Sequence, residues 1–466
     1  MSALADLAAS ELCRLIAARE ISVTAVVDAC LARVEQYNAE INAVVTLNPR
    51  VRDEARALDE RLAHGHAPGP LCGLPVGIKD VTPVGGLRTT FGSPIYADFT
   101  PAEDALVVRR LRQAGAVILG KTNCPEFAAG GNTFNEVFGR TRNPWDTTKS
   151  AGGSTGGGAA ALVTGMIALA EGTDLGGSLR IPASFCGVVG LRPSVGLVPT
   201  HPTEWVWDTL QVTGPMARTA DDVALMLQSV SGGSDWSPLH QPTAGRDYVR
   251  AVRTGPQPGL RVAYCPDPAR IGVDPDIEGV CRTAAFALKD CGASVDEIDL
   301  DLSPARAAFL TLRGLWFVTH MAPRMDKAAQ FGANVANNVR AGLEVTARDV
   351  AAAERERGRV WHLFRELFTR FDHLVTPCMA VPPFPVEQNY PDSIAGKGMQ
   401  NYVDWIAPTF VLSLTALPVA SAPCGRDRNR LPVGLQIVGK PFGEEAVLAL
   451  AGHVQKRHAV PFRPRD

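Results

Sequence analysis

The stretch SAGGSTGGGAAALVTGMIALAEGTDLGGSLRIPASFCG, residues 150–187, is the most unusual part of this sequence. It contains two serines framed by glycines, Ser154 in GGSTGG and Ser178 in DLGGSLR. Glycine loses more conformational freedom on folding than any other residue, so this cluster indicates backbone with positive φ or in close contact with another group. The glycines are interleaved with an apolar segment at 159–170, which we interpret as a helix, and this disfavours a flexible linker.

A dinucleotide-binding fingerprint is one interpretation of this segment. Gly156, Gly158 and Ala161 satisfy G-x-G-x-x-A, and Asp174 follows at a suitable distance. That fingerprint begins directly after a strand. The preceding residues, TRNPWDTTKS at 141–150, are polar and poor in strand formers, so the sequence disfavours a dinucleotide site.

A nucleophile elbow of the α/β-hydrolase type is a second interpretation, because Gly152, Ser154 and Gly156 read G-x-S-x-G. The elbow requires the same missing strand. It also requires an aspartate and then a histidine downstream, an order that His453 satisfies. A long sequence supplies such a pair by chance, so this interpretation is weak.

A lysine in an apolar context offers a third interpretation. Lys79 in GIKD follows LCGLPVGI, residues 71–78, which reads as a short buried strand. An ammonium group is costly to bury unless it is paired or loses its proton. Asp80 could be its ion-pair partner. Alternatively, a neutral Lys79 could activate a serine, since Ser-Lys arrangements can replace a histidine base.

Composition excludes several classes of protein. The 466 residues include 46 basic and 48 acidic side chains, so no bulk charge attracts nucleic acid or an anionic membrane. No run of eighteen uncharged apolar residues is present, and charges interrupt the first thirty residues, so we expect neither a membrane span nor a secretory signal. The ten cysteines include no C-x-x-C pair, and we expect reduced thiols in a cytoplasmic protein.

Helix and strand patterns alternate along the chain. Ser22 is a candidate N-cap of an amphipathic helix, and Thr100 to Glu103 resemble a capping box for a helix that Gly115 ends before a strand. A helix then strand fits 281–300, and a strand then helix fits 433–457. This alternation is typical of an α/β architecture with a largely buried sheet.

Seven motifs, in order and with similar spacing, resemble the amidase signature family over nearly the whole chain. They are GIKD, TNCPEFA, GRTRNPWD, AGGSTGGGAAALV, GTDLGGSLRIPAS, TGPMARTADDVALML and LPVGLQIVGKP. The resemblance implies one large α/β domain, residues 1–466, with a mixed central sheet covered by helices on both faces. Within it we expect a helical region at 1–62, a catalytic core at 72–200, a variable pocket region at 201–400 and a sheet and helix at 401–466.

The resemblance also implies a role for each matching residue. Lys79 would be the base, Ser154, on a cis peptide, the proton relay, and Ser178 the nucleophile. The loop after TNCPEF makes Ala128, together with Ser154, a candidate substrate contact. The oxyanion hole would be formed by the backbone amides of Leu175, Gly176, Gly177 and Ser178.

One residue departs from the family pattern. Thr155 stands where the family usually has serine or glycine, which adds a methyl group near the pocket.

Asp174 and Arg180 bracket the nucleophile turn, and we expect them to pair across it as scaffold rather than as catalytic groups.

Residues outside these motifs carry weaker signals. His64 and His66 form an H-x-H pair in a loop without a third ligand nearby, so we expect a solvated turn and no metal. The segments 201–210 and 313–333 are expected to form variable walls of an apolar pocket. Their aromatic and soft apolar residues include Trp205, Trp207, Trp316, Phe317, Met321 and Phe331, and we expect most of these side chains to belong to the core.

The resemblance predicts a hydrolase that cleaves carboxylic amides, or related carbamates or esters, without a metal or organic cofactor. The expected partner is a small-molecule substrate, with no nucleic acid and no membrane, and a homodimer is compatible with the sequence. Two alternatives remain. One is an amide-transfer subunit of a tRNA amidotransferase, a branch that commonly has Gln where this chain has Ile181. The other is a catalytically silent binding protein on the same scaffold.

Overall fold

Short apolar strands, most of them buried along their whole length, form the centre of the molecule. The structure, a computed structural model, describes residues 4–458. In that part of the chain, eleven strands pair into one sheet. In chain order they are β1 (Val44–Leu47), β2 (Pro75–Lys79), β3 (Val117–Thr122), β4 (Leu169–Asp174), β5 (Val189–Arg192), β6 (Val212–Ala217), β7 (Arg261–Tyr264), β8 (Ser294–Glu297), β9 (His373–Pro377), β10 (Val419–Arg426) and β11 (Pro432–Val438).

The sheet is mixed. Its order is β1-β3-β2-β4-β6-β5-β10-β11-β9-β7-β8. β3, β2 and β4 are parallel to one another, as are β9, β7 and β8, and the other neighbours are antiparallel. Parallel neighbours need long crossover connections, which are usually helices, and this explains the alternation of helices and strands along the chain.

Fourteen α-helices lie among residues 4–458. They are α1 (Ala9–Ala17), α2 (Val23–Ile41), α3 (Val51–Ala63), α4 (Leu106–Gln113), α5 (Gly156–Val163), α6 (Arg180–Cys186), α7 (Ala220–Val230), α8 (Tyr248–Thr254), α9 (Pro275–Phe286), α10 (Ala305–Met321), α11 (Ala333–Leu343), α12 (Ala347–Arg370), α13 (Ala407–Ser413) and α14 (Glu444–Arg457). Short 3₁₀ helices span Leu4–Asp6, Pro94–Tyr96, Glu126–Ala128, Ala287–Cys291, Ala322–Gln330 and Asp404–Ile406.

Helices cover both faces of the sheet. Successive side chains of a strand point to opposite faces. On β3, the buried side chain of Ile118 belongs to an apolar cluster that includes Val108 of α4. The next residue, Leu119, belongs to a different cluster that includes Ala160 of α5. The predicted mixed sheet between two helical layers in a single domain is therefore confirmed.

Much of the predicted local structure is also confirmed. α2 begins directly after Ser22, whose side chain accepts a hydrogen bond from the Ala25 amide at 3.0 Å. Gly115, between α4 and β3, has a φ of 86°. α9 precedes β8, and β11 precedes α14, in the order that the sequence predicts.

The predicted capping box at Thr100 to Glu103 is wrong, because α4 begins only at Leu106. The backbone before α4 is bonded to a distant loop instead. The Gly86 amide donates to the Pro101 carbonyl oxygen at 2.9 Å, and the Ala105 amide donates to the Pro83 carbonyl oxygen at 2.9 Å. These contacts hold the segment outside the helix.

The predicted helix over 159–170 is correct only in its first half. α5 ends at Val163, and Gly165 follows with a φ of 75°. From Leu169 the chain forms β4, which pairs with both β2 and β6. A short apolar run is compatible with either element, and here the pairing partners favour a strand.

Gly157 in α5 should not tolerate a side chain. A Cβ atom there would lie 2.3 Å from the backbone nitrogen of Asn123 and 2.8 Å from the carbonyl oxygen of Ala43. Because this backbone flanks the sheet, Gly157→Ala should destabilise the protein by about 1–3 kcal/mol, measured by thermal unfolding.

The control is Gly358→Ala in α12, where an added Cβ has no heavy atom within 4 Å. Alanine favours helix more than glycine, so this change should be neutral or stabilise by about 0.5–1 kcal/mol. Equal losses in the two variants would contradict the close approach at Gly157.

Candidate active site

The candidate site lies where two parallel strands end. β2 and β4 are neighbours in the sheet, with Ile78 opposite Glu171. Their carboxyl ends therefore open at the same edge, where ligands bind in open α/β sheets. Lys79 is the last residue of β2, and Thr173 and Asp174 end β4.

Lys79 is fully buried and hydrogen-bonded to hydroxyl groups. Its Nζ donates to Oγ of Ser154 at 2.6 Å and to Oγ1 of Thr173 at 2.9 Å. Asp80 is not its partner. The Asp80 carboxylate accepts hydrogen bonds from Thr90 and faces Nζ of Lys121 at 3.9 Å. Of the two interpretations left open by the sequence, the structure therefore favours the contact between lysine and serine.

Burial changes the protonation of Lys79. Removal from water lowers the pKa of Lys79 to about 8, although the nearby carboxylates of Glu171 and Asp174 act in the opposite direction. An unburied lysine titrates near 10.4. The shift increases the neutral fraction of Lys79 near neutral pH, and only the neutral amine can accept a proton.

A second buried cluster supports the end of β2. Glu171 accepts a hydrogen bond from the Lys79 backbone amide at 3.1 Å and another from the Thr82 hydroxyl at 2.9 Å. Burial raises the pKa of Glu171 and lowers the pKa of Lys121. Lys121 donates to the Thr82 carbonyl oxygen and to Oγ1 of Thr89. These contacts fix the backbone from which the Lys79 side chain projects.

The two serines lie beside one cavity. Ser154 is fully buried and follows a cis peptide bond after Gly153. Ser178 is partly exposed, and both serines line a small cavity of about 20 Å³. The Thr155 amide donates to the Ser178 carbonyl oxygen at 3.2 Å, which joins the two serine segments.

The methyl group of Thr155 points towards the sheet. Thr155 is fully buried, and a Cβ placed on Gly172 of β4 would lie 2.5 Å from its Cγ2 atom. Glycine at 172 therefore makes room for the methyl group that distinguishes this chain from the usual family pattern. Thr155 does not line the small cavity, so this methyl packs against β4.

Three amide groups in the turn that carries Ser178 lack an acceptor. Within residues 4–458, the N–H groups of Leu175, Gly176 and Ser178 form no hydrogen bond, and all three residues line the small cavity. The Gly177 amide differs, because it donates to Oδ1 of Asp174 at 2.9 Å. Of the four amides expected in an oxyanion hole, three are thus available for a ligand oxygen and one is occupied by the scaffold.

Asp174 holds this turn in place, and its predicted pairing with Arg180 is confirmed. Arg180 Nε and Nη2 each lie 3.0 Å from the carboxylate, and Arg192 Nη1 lies 3.3 Å away. The Leu179 amide also donates to Asp174, at 3.2 Å. The two guanidinium groups keep the pKa of Asp174 below its usual range despite burial. The carboxylate stays ionised and therefore remains a strong acceptor.

A larger cavity of about 250 Å³ adjoins the small one. Ala128, the expected substrate contact, lines both cavities and has a φ of 60°. Gln211 and Trp316 also line both. The larger cavity therefore extends the space beside Ser178, and its walls are mainly apolar.

The expected variable walls are present in part. Trp316 and Phe317 line the small cavity, and Met321 lines the large one. Phe331 packs against Phe127, with ring centroids 6.3 Å apart. Trp207 is 61% exposed and lies on the surface. Trp205 lines a third cavity, which shares Thr200 and Gln211 with the large one.

The histidines lie elsewhere. His64 and His66 are exposed at the end of α3, where their Nδ1 atoms contact the carbonyl oxygens of Glu60 and Arg61. His453 lies on α14. Across residues 4–458, no group of three or more His, Cys, Asp or Glu side chains could hold a metal ion.

The sequence patterns do not identify four residues around the site individually, although Arg313 begins the predicted wall segment 313–333. Thr173 and Arg192 contact the central polar groups, and Arg313 and Tyr402 line the small cavity. Thr173 directly precedes Asp174, so alternation along β4 offers a weak hint. Arg192 follows Asp174 by 18 residues, whereas Arg313 and Tyr402 lie far along the chain and are brought to Ser178 only by the fold.

Comparison with known proteins places this fold among amide-hydrolysing enzymes. Residues 25–448 match the family described as Amidase, and the chain therefore belongs to the amidase signature family. It is similar to an acylamidase of Rhodococcus erythropolis, 34% identical over 458 residues that cover 96% of this chain and 95% of the relative. It is equally similar to a glutamyl-tRNA(Gln) amidotransferase subunit of Chloroflexus aggregans, 34% identical over 467 residues, or 95% and 94% of the two chains.

Solved structures agree with this assignment. A bacterial aryl acylamidase of the amidase signature family superposes with a TM-score of 0.90 at 26% identity, covering 97% of this chain and 96% of that chain. A 6-aminohexanoate cyclic dimer hydrolase superposes with a TM-score of 0.88 at 27% identity, covering 99% of both. In the described part of this chain, no helix has the length and apolar character that crossing a membrane requires.

Asp174→Asn should destabilise the protein strongly. The change leaves two buried guanidinium groups without their anion, which costs about 3–5 kcal/mol. The control is Asp28→Asn, whose carboxylate lies 2.7 Å from Arg52 in a solvent-exposed pair. That change should cost at most about 1 kcal/mol. Thermal unfolding of both variants measures the difference, and similar losses would show that Asp174 does not act as the buried anchor.

Proposed function

We propose that this protein hydrolyses carboxylic amides through an acyl-enzyme on Ser178, with Ser154 as proton relay and Lys79 as base. The observation that carries the proposal is the 2.6 Å hydrogen bond between Lys79 and Ser154 beside the cavity that Ser178 lines. A neutral amine in contact with a hydroxyl can remove protons from a serine that is otherwise a weak nucleophile.

In the first step, Oγ of Ser178 attacks the carbonyl carbon of the amide. The Ser178 proton moves to Ser154 as Ser154 transfers its own proton to Lys79. The carbon–nitrogen bond then breaks, and the proton on Lys79 returns through Ser154 to the leaving amine. Water attacks the ester on Ser178 by the same route, which releases the acid and restores the three side chains.

The negative charge that develops on the carbonyl oxygen would be stabilised by the amides of Leu175, Gly176 and Ser178. Such donors act most strongly when they are fixed before the reaction and shielded from water. Asp174 fixes the turn through the Gly177 and Leu179 amides. The Gly177 amide would therefore hold the turn rather than bind the oxyanion.

The large cavity favours an apolar or aryl group on the substrate. Burial of apolar surface contributes roughly 25 cal/mol per Å², and Val107, Phe127 and Met321 are among the apolar walls. An aryl amide is therefore our preferred substrate class, and carbamates or esters of similar shape fit the same chemistry.

The ten cysteines are all unpaired thiols, nine of them buried, which favours a reducing compartment such as the cytoplasm.

An amide-transfer subunit is the second candidate, since identity to that relative is equally high. Ile181, where that branch commonly has glutamine, favours the independent hydrolase. Turnover of simple aryl amides by the purified chain alone would favour the hydrolase. A requirement for partner subunits would favour the transfer subunit, and the absence of both turnover and acylation would favour a silent binding protein.

Ser178→Ala should abolish turnover and covalent labelling together, because it removes only the attacking oxygen. Residual activity should fall below about a thousandth of the unmodified protein, and mass spectrometry should find the acyl group on Ser178 only before the change. His453→Ala is the control and should leave the rate nearly unchanged. A loss in His453→Ala as large as in Ser178→Ala would favour an α/β-hydrolase mechanism instead.

The acylation rate should increase with pH through about 8, as Lys79 loses its proton. Below that pH most molecules carry the ammonium form, which cannot accept a proton, so the rate should be low in acid. Lys79→Ala should remove the pH-dependent increase and lower the rate by orders of magnitude. Lys79→Arg should recover nothing, because a guanidinium stays charged.

Single-turnover acylation across the neutral and alkaline range measures this profile. Ser154→Ala should also be severe, since it interrupts the relay even when Lys79 is neutral. A Lys79→Ala variant that kept the original profile and most of the rate would disprove the mechanism.

A further inference from the structure

A buried arginine without an anion lies in the wall of the small cavity. Arg313 projects from α10, is only 6% exposed and lines the cavity together with Ser178 and Ser154. Its Nε donates to Oδ1 of Asn338 at 3.0 Å, and its Nη2 donates to the Tyr402 hydroxyl. Within residues 4–458, Nη1 has no acceptor, and the guanidinium forms no ion pair with any carboxylate.

The carboxylates on neighbouring segments have other partners. Asp404 pairs with Arg306 and accepts from the Gln400 amide at 2.8 Å. Asp208 accepts from the Trp316 indole at 2.7 Å. Burying a charged group is costly unless an opposite charge or hydrogen bonds compensate for lost hydration. The neutral contacts of Arg313 leave its charge without a counter-ion.

The Tyr402 hydroxyl lines the same cavity and has an unused donor. Its oxygen accepts hydrogen bonds from Nη2 of Arg313 and from Nδ2 of Asn338. A phenol oxygen has two acceptor positions and one proton. Both acceptor positions are occupied, so the proton can only be donated, and no acceptor for it is present among the described residues.

Asn338 fixes the orientation of this pair. Its Oδ1 accepts from Arg313, and its Nδ2 donates to Tyr402 and, at 2.6 Å, to the Asn334 carbonyl oxygen. The rings of Phe317 and Tyr402 lie 4.9 Å and 5.5 Å from the Arg313 guanidinium carbon. The cation is thus held in place by groups that do not neutralise it.

We propose that Arg313 and Tyr402 bind a carboxylate carried by the substrate, which determines specificity in the amide hydrolysis proposed above. A carboxylate supplies the missing negative charge and two oxygens that can accept from Nη1 of Arg313 and from the Tyr402 hydroxyl. Arginine binds carboxylates through paired, charge-assisted hydrogen bonds.

The cavity sizes define the substrate further. The small cavity, about 20 Å³, accepts only a short group, whereas the adjoining one of about 250 Å³ accepts a bulky apolar group. The substrate is therefore an amide with a short carboxylate-bearing arm on one side of the scissile bond and an apolar or aryl group on the other. The arm belongs either to the acid or to the amine half.

Matched substrates test the inference and identify the half. The first pair is the monoanilide of succinic acid and its uncharged terminal amide, followed by aniline release. The second pair is N-benzoyl-β-alanine and its uncharged terminal amide, followed by benzoate release. In at least one pair, the charged member should have a kcat/KM about 10- to 100-fold higher, mainly through a lower KM.

Three variants distinguish a loss of carboxylate binding from a loss of folding. Arg313→Met keeps the long side chain and should abolish the preference by lowering kcat/KM for the charged member. Arg313→Lys should restore part of the preference, because the charge remains but the planar fork is lost. Tyr402→Phe keeps the ring and should reduce the preference less than Arg313→Met. Thermal unfolding checks that each variant remains folded.

A binding measurement tests the carboxylate site without relying on turnover. Calorimetry of Ser178→Ala with succinate should detect binding that the double variant with Arg313→Met loses. The inference is overturned if charged and neutral members react equally and Arg313→Met alters both alike, or if succinate binding is absent or insensitive to Arg313. If succinate binds through Arg313 but no amide acylates Ser178, the proposed hydrolysis fails while the carboxylate site stands.

Discussion

An amine buried at the end of a central strand is the constraint on which the rest of the site depends. Lys79 is fully buried, and its Nζ contacts the hydroxyl groups of Ser154 and Thr173 rather than a carboxylate. A close carboxylate would stabilise the ammonium form and raise the pKa. Glu171 does raise the pKa of Lys79, but burial outweighs this effect, and the Glu171 oxygens are bonded to the Lys79 amide and the Thr82 hydroxyl. The side chain can therefore be buried without being held in its charged form.

On the neighbouring strand β4, a buried titratable side chain is held in its charged form. Asp174 is as buried as Lys79, yet Arg180 and Arg192 keep its carboxylate ionised. Two titratable groups at one sheet edge thus have pKa values displaced in ways that suit different tasks. The ionised Asp174 fixes the turn by accepting from Gly177, and the neighbouring amides remain available to the cavity.

The parts of this molecule that sequence could predict are those in which partners lie close along the chain. Asp174 and Arg180 are six residues apart, and their pairing follows from the short turn between them. The start of α4 was not predictable, because the backbone before it is bonded to residues 83–86 rather than to its own helix. The cavity walls were predictable only as regions, since Trp207 lies on the surface whereas Arg313 lies inside. Periodicity identifies the buried face of a helix but does not tell a core contact from a cavity wall.

The residues proposed for the chemistry and those proposed for carboxylate binding belong to different parts of the fold. Lys79 ends a strand of the buried sheet, and Ser154 and Ser178 lie in turns beside it. A hydrogen bond joins Lys79 to Ser154, and the Thr155 amide joins the Ser154 segment to Ser178. Arg313 and Tyr402 come from α10 and from the segment before α13, and no hydrogen bond within residues 4–458 links this pair to the lysine or to either serine. Side chains of the cavity wall can therefore change without breaking a hydrogen bond of the lysine or of either serine, and one fold can carry different functions through such changes in its sites.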